Sequence, residues 1–298
     1  MLGRAPAPAA VGKILEEFWL ALLSARPAWV AVAFALYLLA LLAAGARWQV
    51  MVRAVGGRLA YHHATLATMA AIFVNNVTPT GRIAGEACRI VITRMKGTVS
   101  VPLAALASLG DRLTDVPPLV VMGLAALPAL RPAIRGRHHA IALGAVIVVA
   151  ALALLGPRLR TALRSWLISR QRELHSAAVP RRVALSALGW STLMWLEDVL
   201  RIVAVGQAFD IGFTWPQAAA LAVIGVLGGL APTLGGVGVV EGGLVAGLVM
   251  FGLPLDRALA VTALERAISY GFSTCAGGLV VLLLGGRRLF RPGAAALQ

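Results

Sequence analysis

Charge is what this 298-residue chain has least of: Asp, Glu, Lys and Arg make up 13% of it, against 59% apolar residues. A water-soluble domain carries about 25% charged residues, so lipid is the solvent expected for most of this surface. Cysteine is scarce too. Cys88 and Cys275 have no metal-ligand spacing and read as two small buried thiols without a disulfide. The five histidines (His62, His63, His138, His139, His175) fall at segment ends or in loops and read as interfacial, not as metal ligands. Alternating strand patterning is missing, which sets a β-barrel aside. The net charge of +15 comes without an RNA-binding signature or interleaved aromatics, so no nucleic-acid partner is expected. No nucleophile elbow, metal cluster or phosphate-binding loop stands out, so neither catalysis nor a cofactor is expected. The Ala/Pro-rich N-terminus lacks a signal-peptide pattern, so internal helices are expected to direct insertion.

What is present is a series of long apolar runs. A bilayer-crossing helix takes about 20 apolar residues at about 1.5 Å rise each. The fold class expected is all-α: a polytopic integral membrane protein. Residues 1–26 read as a tail plus an interfacial helix, because Lys13, Glu16 and Glu17 interrupt the apolar stripe of 11–26. Residues 27–156 hold a span at about 28–52, two short legs (Tyr61–Val77 and Gly81–Lys96), a span at about 101–127, a loop at Arg131–His139 and an extra span at about 139–156. Arg47, Trp48 and Arg53 read as interfacial anchors at the end of the first span. Residues 157–182 are a basic linker. Residues 183–286 repeat the pattern: a span at 183–207, legs Pro216–Leu230 and Gly235–Phe251, and a span at 257–284. Residues 287–298 are a basic tail.

Landmarks in the two halves recur at nearly one offset. Pro79-Thr80 matches Pro232-Thr233 at 153, Glu86 matches Glu241 at 155, and Asp111-Arg112 match Glu265-Arg266 at 154. Each pair of short legs meets at a Pro-Thr turn: Pro79, Thr80 and Gly81 in one, and Pro232, Thr233, Gly235, Gly236 and Gly238 in the other. Legs of 16–17 residues span about 25 Å, short of the ~30 Å hydrocarbon core. They read as re-entrant hairpins or as two tilted spans with a tight loop. With the extra span between them, the halves enter from opposite faces, as in an inverted-topology repeat. Loop charge puts 16 cations on one side, Arg47 and Arg89 among them, and 7 on the other. The positive-inside rule then favours an outside N-terminus and an inside C-terminus.

A charge in hydrocarbon costs about 2.5–3.5 kcal/mol on insertion scales, so each needs a reason. The candidates are Arg82, Glu86 and Arg89 on the first hairpin, Asp111, Arg112 and Asp115 on the next span, Glu197, Asp198 and Arg201 on the fifth segment, Glu241 on the second hairpin, and Glu265 and Arg266 on the last span. Glu86/Arg89 and Asp198/Arg201 are spaced i,i+3, while Asp111/Asp115 and Glu197/Arg201 are spaced i,i+4, so each pair shares a helix face. Ion pairing that holds helices together accounts for any one pair. A substrate site is the second reading, since the charges gather around the helix breaks. There a helix N-terminus and Arg82 would suit a phosphate or other anion.

Several pieces, in order over about residues 28–285, carry a family resemblance. They are Ala46-Arg47-Trp48 with Met51-Val52-Arg53 and Gly56; Asn75-Asn76 with Pro79, Gly81, Gly85 and Arg89; Asp111-Arg112-Leu113; and Pro232 followed by Gly235-Gly236-Val237-Gly238 and Glu241. The chain resembles the flippase-like transmembrane region of lysylphosphatidylglycerol synthases and its stand-alone relatives. That resemblance implies a multi-pass protein of the bacterial inner membrane that moves or presents a lipid: an anionic phospholipid, a polyprenyl-linked glycolipid or a hopanoid. The chain departs from the family at Val240, where many relatives have arginine, and in a first span reduced to residues 11–26. It also lacks the soluble aminoacyl-transfer domain, so it should not make lysyl-phosphatidylglycerol by itself. Lipid transport is the leading expectation, with Arg82, Arg89, Arg112 and Arg266 drawing the headgroup and Glu86, Asp111, Glu241 and Glu265 compensating them or carrying protons. The alternative is a scaffold that partners a lipid-modifying enzyme.

Overall fold

The computed structural model describes residues 8–79, 82–134 and 181–284. The expected extra span at 139–156, nearly all of the basic linker, the basic tail, and Thr80 and Gly81 of the first turn lie outside these residues.

Local signals set several helix starts. Pro27 occupies the first turn of the helix Pro27–Ala54, Pro102 that of Val101–Leu113 and Pro216 that of Trp215–Gly228, where a missing N–H costs nothing. Thr214 and Gln217 close a capping box at the start of the last of these, the Thr214 N–H donating to Gln217 Oε1 at 3.0 Å. The helices are α1 (Pro8–Leu23), α2 (Pro27–Ala54), α3 (Tyr61–Val77), α4 (Ile83–Lys96), α5 (Val101–Leu113), α6 (Val116–Ile134), α7 (Arg181–Ala208), α8 (Trp215–Gly228), α9 (Val239–Met250), α10 (Leu255–Arg266) and α11 (Ser273–Leu283). A 3₁₀ turn, Leu234–Gly236, precedes α9, and a π-helical segment, Ala267–Phe272, joins α10 to α11. Among the described residues there is no strand.

Among the described residues three helical runs are long and apolar enough to cross a membrane: Pro27–Ala54, Val101–Leu130 and Leu255–Leu283. At about 1.5 Å per residue each exceeds 40 Å. α7 has the length as well, 28 residues, but carries Glu197, Asp198 and Arg201 in its middle. The hairpin legs α3, α4, α8 and α9 have 17, 14, 14 and 12 residues, so none reaches ~30 Å. Rows of exposed Leu and Val, such as Leu38, Leu39 and Leu42 on α2 or Val120, Val121 and Leu124 on α6, give the outside the apolar character lipid requires.

α2 and α7 share the most extensive helix contact and form the axis of the molecule. On one side α3 packs against α4, α2 and α11; on the other α8 packs against α6, α9 and α7, while α1 lies on α10. Alanine makes these contacts close. Ala64, Ala67 and Ala70 of α3 and Ala218, Ala219 and Ala220 of α8 are all buried, as expected where backbones approach in lipid. The bounds recur along the chain: α2 ends at Ala54 and α7 at Ala208, 154 later, and α3 and α8 start 154 apart, as do α5 and α10.

Three expectations are corrected. The spans expected at 101–127 and 257–284 fall on the runs Val101–Leu130 and Leu255–Leu283, but neither is a regular α-helix throughout. Pro117 and Pro118 offer no N–H to continue α5, so the chain turns at Thr114-Asp115; the last span passes through the π segment. The loop expected at Arg131–His139 is helical in its described part, because α6 runs to Ile134; one arginine among alanines and leucines does not end a helix. Of the two thiols expected inside, Cys88 is half-buried and Cys275 exposed, both free. Against lipid a small apolar side chain gains little by turning inward, so hydrophobicity does not report burial there.

Candidate functional site

The charged residues are gathered around one cavity of about 500 Å³ on the α2–α7 axis. Its wall includes Arg47 of α2, Arg82, Glu86 and Arg89 of the first hairpin, Arg112 and Asp115, then Glu197, Asp198 and Arg201 of α7, and Glu265 and Arg266 of α10. Apolar side chains such as Leu41, Ile72, Leu221 and Leu244 complete it.

One side of the cavity is a network of three arginines and three acids. Asp111 is fully buried and sits between two guanidinium groups, with Arg47 Nε 2.8 Å from Oδ1 and Arg89 Nη1 2.9 Å from Oδ2. Arg47 also pairs with Asp115 and donates to Ser191 Oγ at 2.8 Å. Glu86 accepts from Arg89 and Ser108 through Oε2, and from Arg112 through Oε1 at 2.5 Å. Arg89 stacks 4.0 Å over Trp48, whose indole N–H donates to Thr93. Such close opposite charges are what let buried ions persist at low dielectric.

The other side is wired alike. Arg201 pairs with Glu265, as Arg47 does with Asp111; both partners lie 154 residues later. Arg266 pairs with Glu241, its Nε at 2.7 Å, as Arg112 pairs with Glu86 through Nη2 at 2.5 Å. Tyr37 and Ser191, also 154 apart, cross between halves: Ser191 reaches Arg47 and donates to Asp115, while Tyr37 lies 5.5 Å under Arg201 and donates to the Ser269 carbonyl. Arg201 carries two further acids, Asp198 at 2.5 Å and Glu197 at 3.5 Å.

The two breaks differ in detail. Arg82 has a left-handed backbone (φ 75°) just before α4, which costs a non-glycine residue about 1–2 kcal/mol. Its Nε donates to the Gly229 carbonyl at 3.4 Å, across to the second hairpin. Gly235 has φ 57°, and a Cβ there would lie 2.5 Å from the Tyr270 ring and 3.0 Å from Asn76 Cα. Glycine thus lets the two hairpins touch. Asn76 donates to Thr274 at 2.8 Å and Tyr270 to the Asn76 carbonyl at 3.2 Å, tying α3 to the π segment.

Of the residues expected at the site, Arg82, Glu86, Arg89, Arg112, Thr233, Gly235, Glu265 and Arg266 line the cavity. Asp111 stands behind the wall. Glu241 caps α9, accepting from the Gly238 N–H at 2.6 Å, and borders a separate shallow groove with Val245 and Met250. Pro79, Pro232 and Gly238 are exposed and Gly236 is buried, so they shape the turns without lining the cavity. Arg47 and Trp48 are not anchors: they are 3% and 0% exposed, and only Arg53 of that group faces outward. Arg47 and Arg89, counted among the interior-side cations, are buried ligands of Asp111 instead. Tyr37, Asn76, Ser108 and Ser191 were not anticipated. The Arg47–Arg201 spacing of 154, the same as between the acid-arginine pairs, was the legible signal. Among the described residues no group of three His, Cys, Asp or Glu is placed to hold a metal.

These features define a polytopic helical membrane protein with a charged chamber inside it. The chain belongs to the family described as the lysylphosphatidylglycerol synthase TM region, which matches residues 9–277. It is similar to a UPF0104 membrane protein of Pyrococcus horikoshii, 23% identical over 295 residues and covering 85% of this chain and 86% of that one. A UPF0104 membrane protein of Methanothermobacter thermautotrophicus is 24% identical over 289 residues, covering 86% of each.

Proposed function

We propose that this protein moves a lipid with an anionic, phosphate-containing headgroup across the cytoplasmic membrane, without chemical catalysis, the cavity receiving the headgroup while the acyl or prenyl chains stay in lipid. A phospholipid, a polyprenyl-linked glycolipid and a hopanoid-type lipid are the candidate classes. One observation carries the reading. Six arginines line the cavity, and five have a carboxylate partner; among the described residues Arg82 has none within ion-pair distance. A cation left without a counter-charge at membrane depth is costly unless an anion visits it. Arg82 also stands at the start of α4, where backbone N–H groups favour an anion. The recurrence of helix bounds and ion pairs at 154 supports two inverted-topology halves, with hairpins that stop at the chamber and alternate in opening it.

The test is reconstitution into vesicles with a panel of labelled anionic lipids. Wild type should accelerate movement of at least one class. Arg82→Asn, which tolerates the left-handed backbone, should lose about 1.5–3 kcal/mol of headgroup interaction. Wild-type rates equal to those of empty vesicles for every lipid overturn the proposal. Copurification of a lipid-modifying enzyme with no lipid movement would favour a scaffold instead.

A further inference from the structure

We propose that the acidic cluster around Arg201 is a proton-binding site in the cavity wall, with Glu197 as the group that takes up and releases the proton. Three carboxylates surround one guanidinium. Arg201 Nη2 lies 2.5 Å from Asp198 Oδ1, Nη1 pairs with Glu265 Oε1, and Nε lies 3.5 Å from Glu197 Oε1. Fully ionised, the cluster would hold a charge of −2 at a place where Glu197 is 2% and Arg201 6% exposed. Carboxylates this close, in a poorly solvated site, do not all ionise; the proton goes to the least compensated one.

That one is Glu197. Asp198 and Glu265 each accept a direct hydrogen bond from Arg201. Neither oxygen of Glu197 has a hydrogen-bond partner among the described residues, and its contact with Arg201 Nε is the longest of the three, at 3.5 Å. A carboxylate buried this deeply without a hydrogen bond is costly, and a protonated carboxyl is far less so. Glu197 lines the cavity, which gives the proton a route.

The surroundings leave the charge uncorrected. α2 contributes Tyr37, α10 contributes Glu265, α8 contributes Leu221 and Ala222, and α6 contributes Val116 and Leu119. The next charged groups in the cavity are Arg82, which forms no ion pair among the described residues, and Asp115, already paired with Arg47. Arg266 turns to Glu241. A metal ion is the poorer ligand, because Arg201 fills the space between the carboxylates and no metal-holding group is found among the described residues.

One consequence rests on the lipid-moving reading. A protonated Glu197 removes one negative charge from the wall an anionic headgroup must pass, and deprotonation restores the repulsion. A proton gradient then drives the lipid.

Infrared spectra of the purified protein in nanodiscs, titrated with pH, should contain the carbonyl band of a protonated carboxyl that fades at alkaline pH. The band should be missing from Glu197→Gln and displaced in Glu197→Asp. If the Gln variant fails to fold, the displacement in the Asp variant carries the assignment. A band unchanged in either variant overturns it, and a band that answers to sodium at fixed pH overturns the proton in favour of a metal cation. In vesicles, an imposed pH gradient should change the wild-type rate of labelled-lipid movement and leave Glu197→Gln indifferent. Wild-type movement that ignores the gradient overturns the coupling. No movement by wild type, with the band present, overturns the lipid reading and upholds the proton site.

Discussion

In the first half of the chain Arg47, Arg89 and Arg112 meet Glu86, Asp111 and Asp115, three cations against three acids. In the second, Arg201 alone meets Glu197, Asp198 and Glu265, and Arg266 stands apart with Glu241. The same two pairings, Arg47–Asp111 with Arg112–Glu86 and Arg201–Glu265 with Arg266–Glu241, underlie both. What differs is the set of additions. Where the first half has Ala43 and Ala44, the second, 154 residues on, has Glu197 and Asp198; where the first has Arg89, the second, 155 on, has Leu244. One scaffold thus holds a neutral network and an acid-rich one on facing walls of the same cavity. A neutral buried network is suited to fixing helices in position. An acid-rich one can change its charge.

The comparison is broken most severely at Asp111, which two buried arginines share. Asp111→Asn leaves Arg47 and Arg89 short of a counter-charge and should cost about 3–5 kcal/mol. Glu265→Gln, at the matching position, removes one of three acids from Arg201 and leaves two, so about 0.5–1.5 kcal/mol is expected. The thermal midpoint in detergent, with the monodisperse fraction on size exclusion, measures both. Equal losses would show that the two networks do the same job.

The membrane class, the helix order and the acid-arginine pairs were legible in the sequence. Composition dictates the solvent, and the shared offset of Asp111-Arg112 with Glu265-Arg266 marks equivalent places. Arg47 was not legible from local context: an arginine beside a tryptophan at the end of an apolar run has the signature of an interfacial anchor. Its burial depends on Asp111, 64 residues away, and Ser191, 144 away. Only the 154-residue spacing to Arg201 could have exposed it. The breaks at Thr114-Asp115 and in the π segment were hidden for a related reason. Hydropathy is continuous across both, so a span reads as one piece while its hydrogen bonding does not.

A smaller effect separates the hairpins. Gly85 of α4 lies so close to α3 that a Cβ would sit 2.4 Å from the Ala71 carbonyl and 2.3 Å from Asn75 Oδ1. In the second hairpin the roles are exchanged: Val240 stands 155 residues after Gly85, and the small residue is Gly228 on the partner helix, where a Cβ would meet a Val240 methyl at 3.1 Å. Backbone yields little in either place, but the nearest backbone atom is the Ala71 carbonyl oxygen at 2.4 Å for Gly85 and Val240 Cα at 3.2 Å for Gly228. Gly85→Ala should therefore cost about 1–3 kcal/mol, and Gly228→Ala less. Matching thermal midpoints for the two would mean that α4 can shift away from α3.

The smallest change is expected at Glu241. Its ion pair with Arg266 leaves the Glu241 side chain 35% exposed, against 22% for Glu86 in the matching pair. Exposed pairs contribute about 0.2–1 kcal/mol, and Arg266 keeps the Gly235 carbonyl at 3.3 Å and the Tyr270 ring at 4.5 Å when the carboxylate is lost. Glu241→Gln should thus leave the thermal midpoint nearly unchanged. Glu86→Gln should lower it visibly, because Arg89, Ser108 and Arg112 all converge on that one carboxylate. A large loss at Glu241 would reverse the comparison, making the second hairpin the rigid one and the α9 cap the contact that holds it.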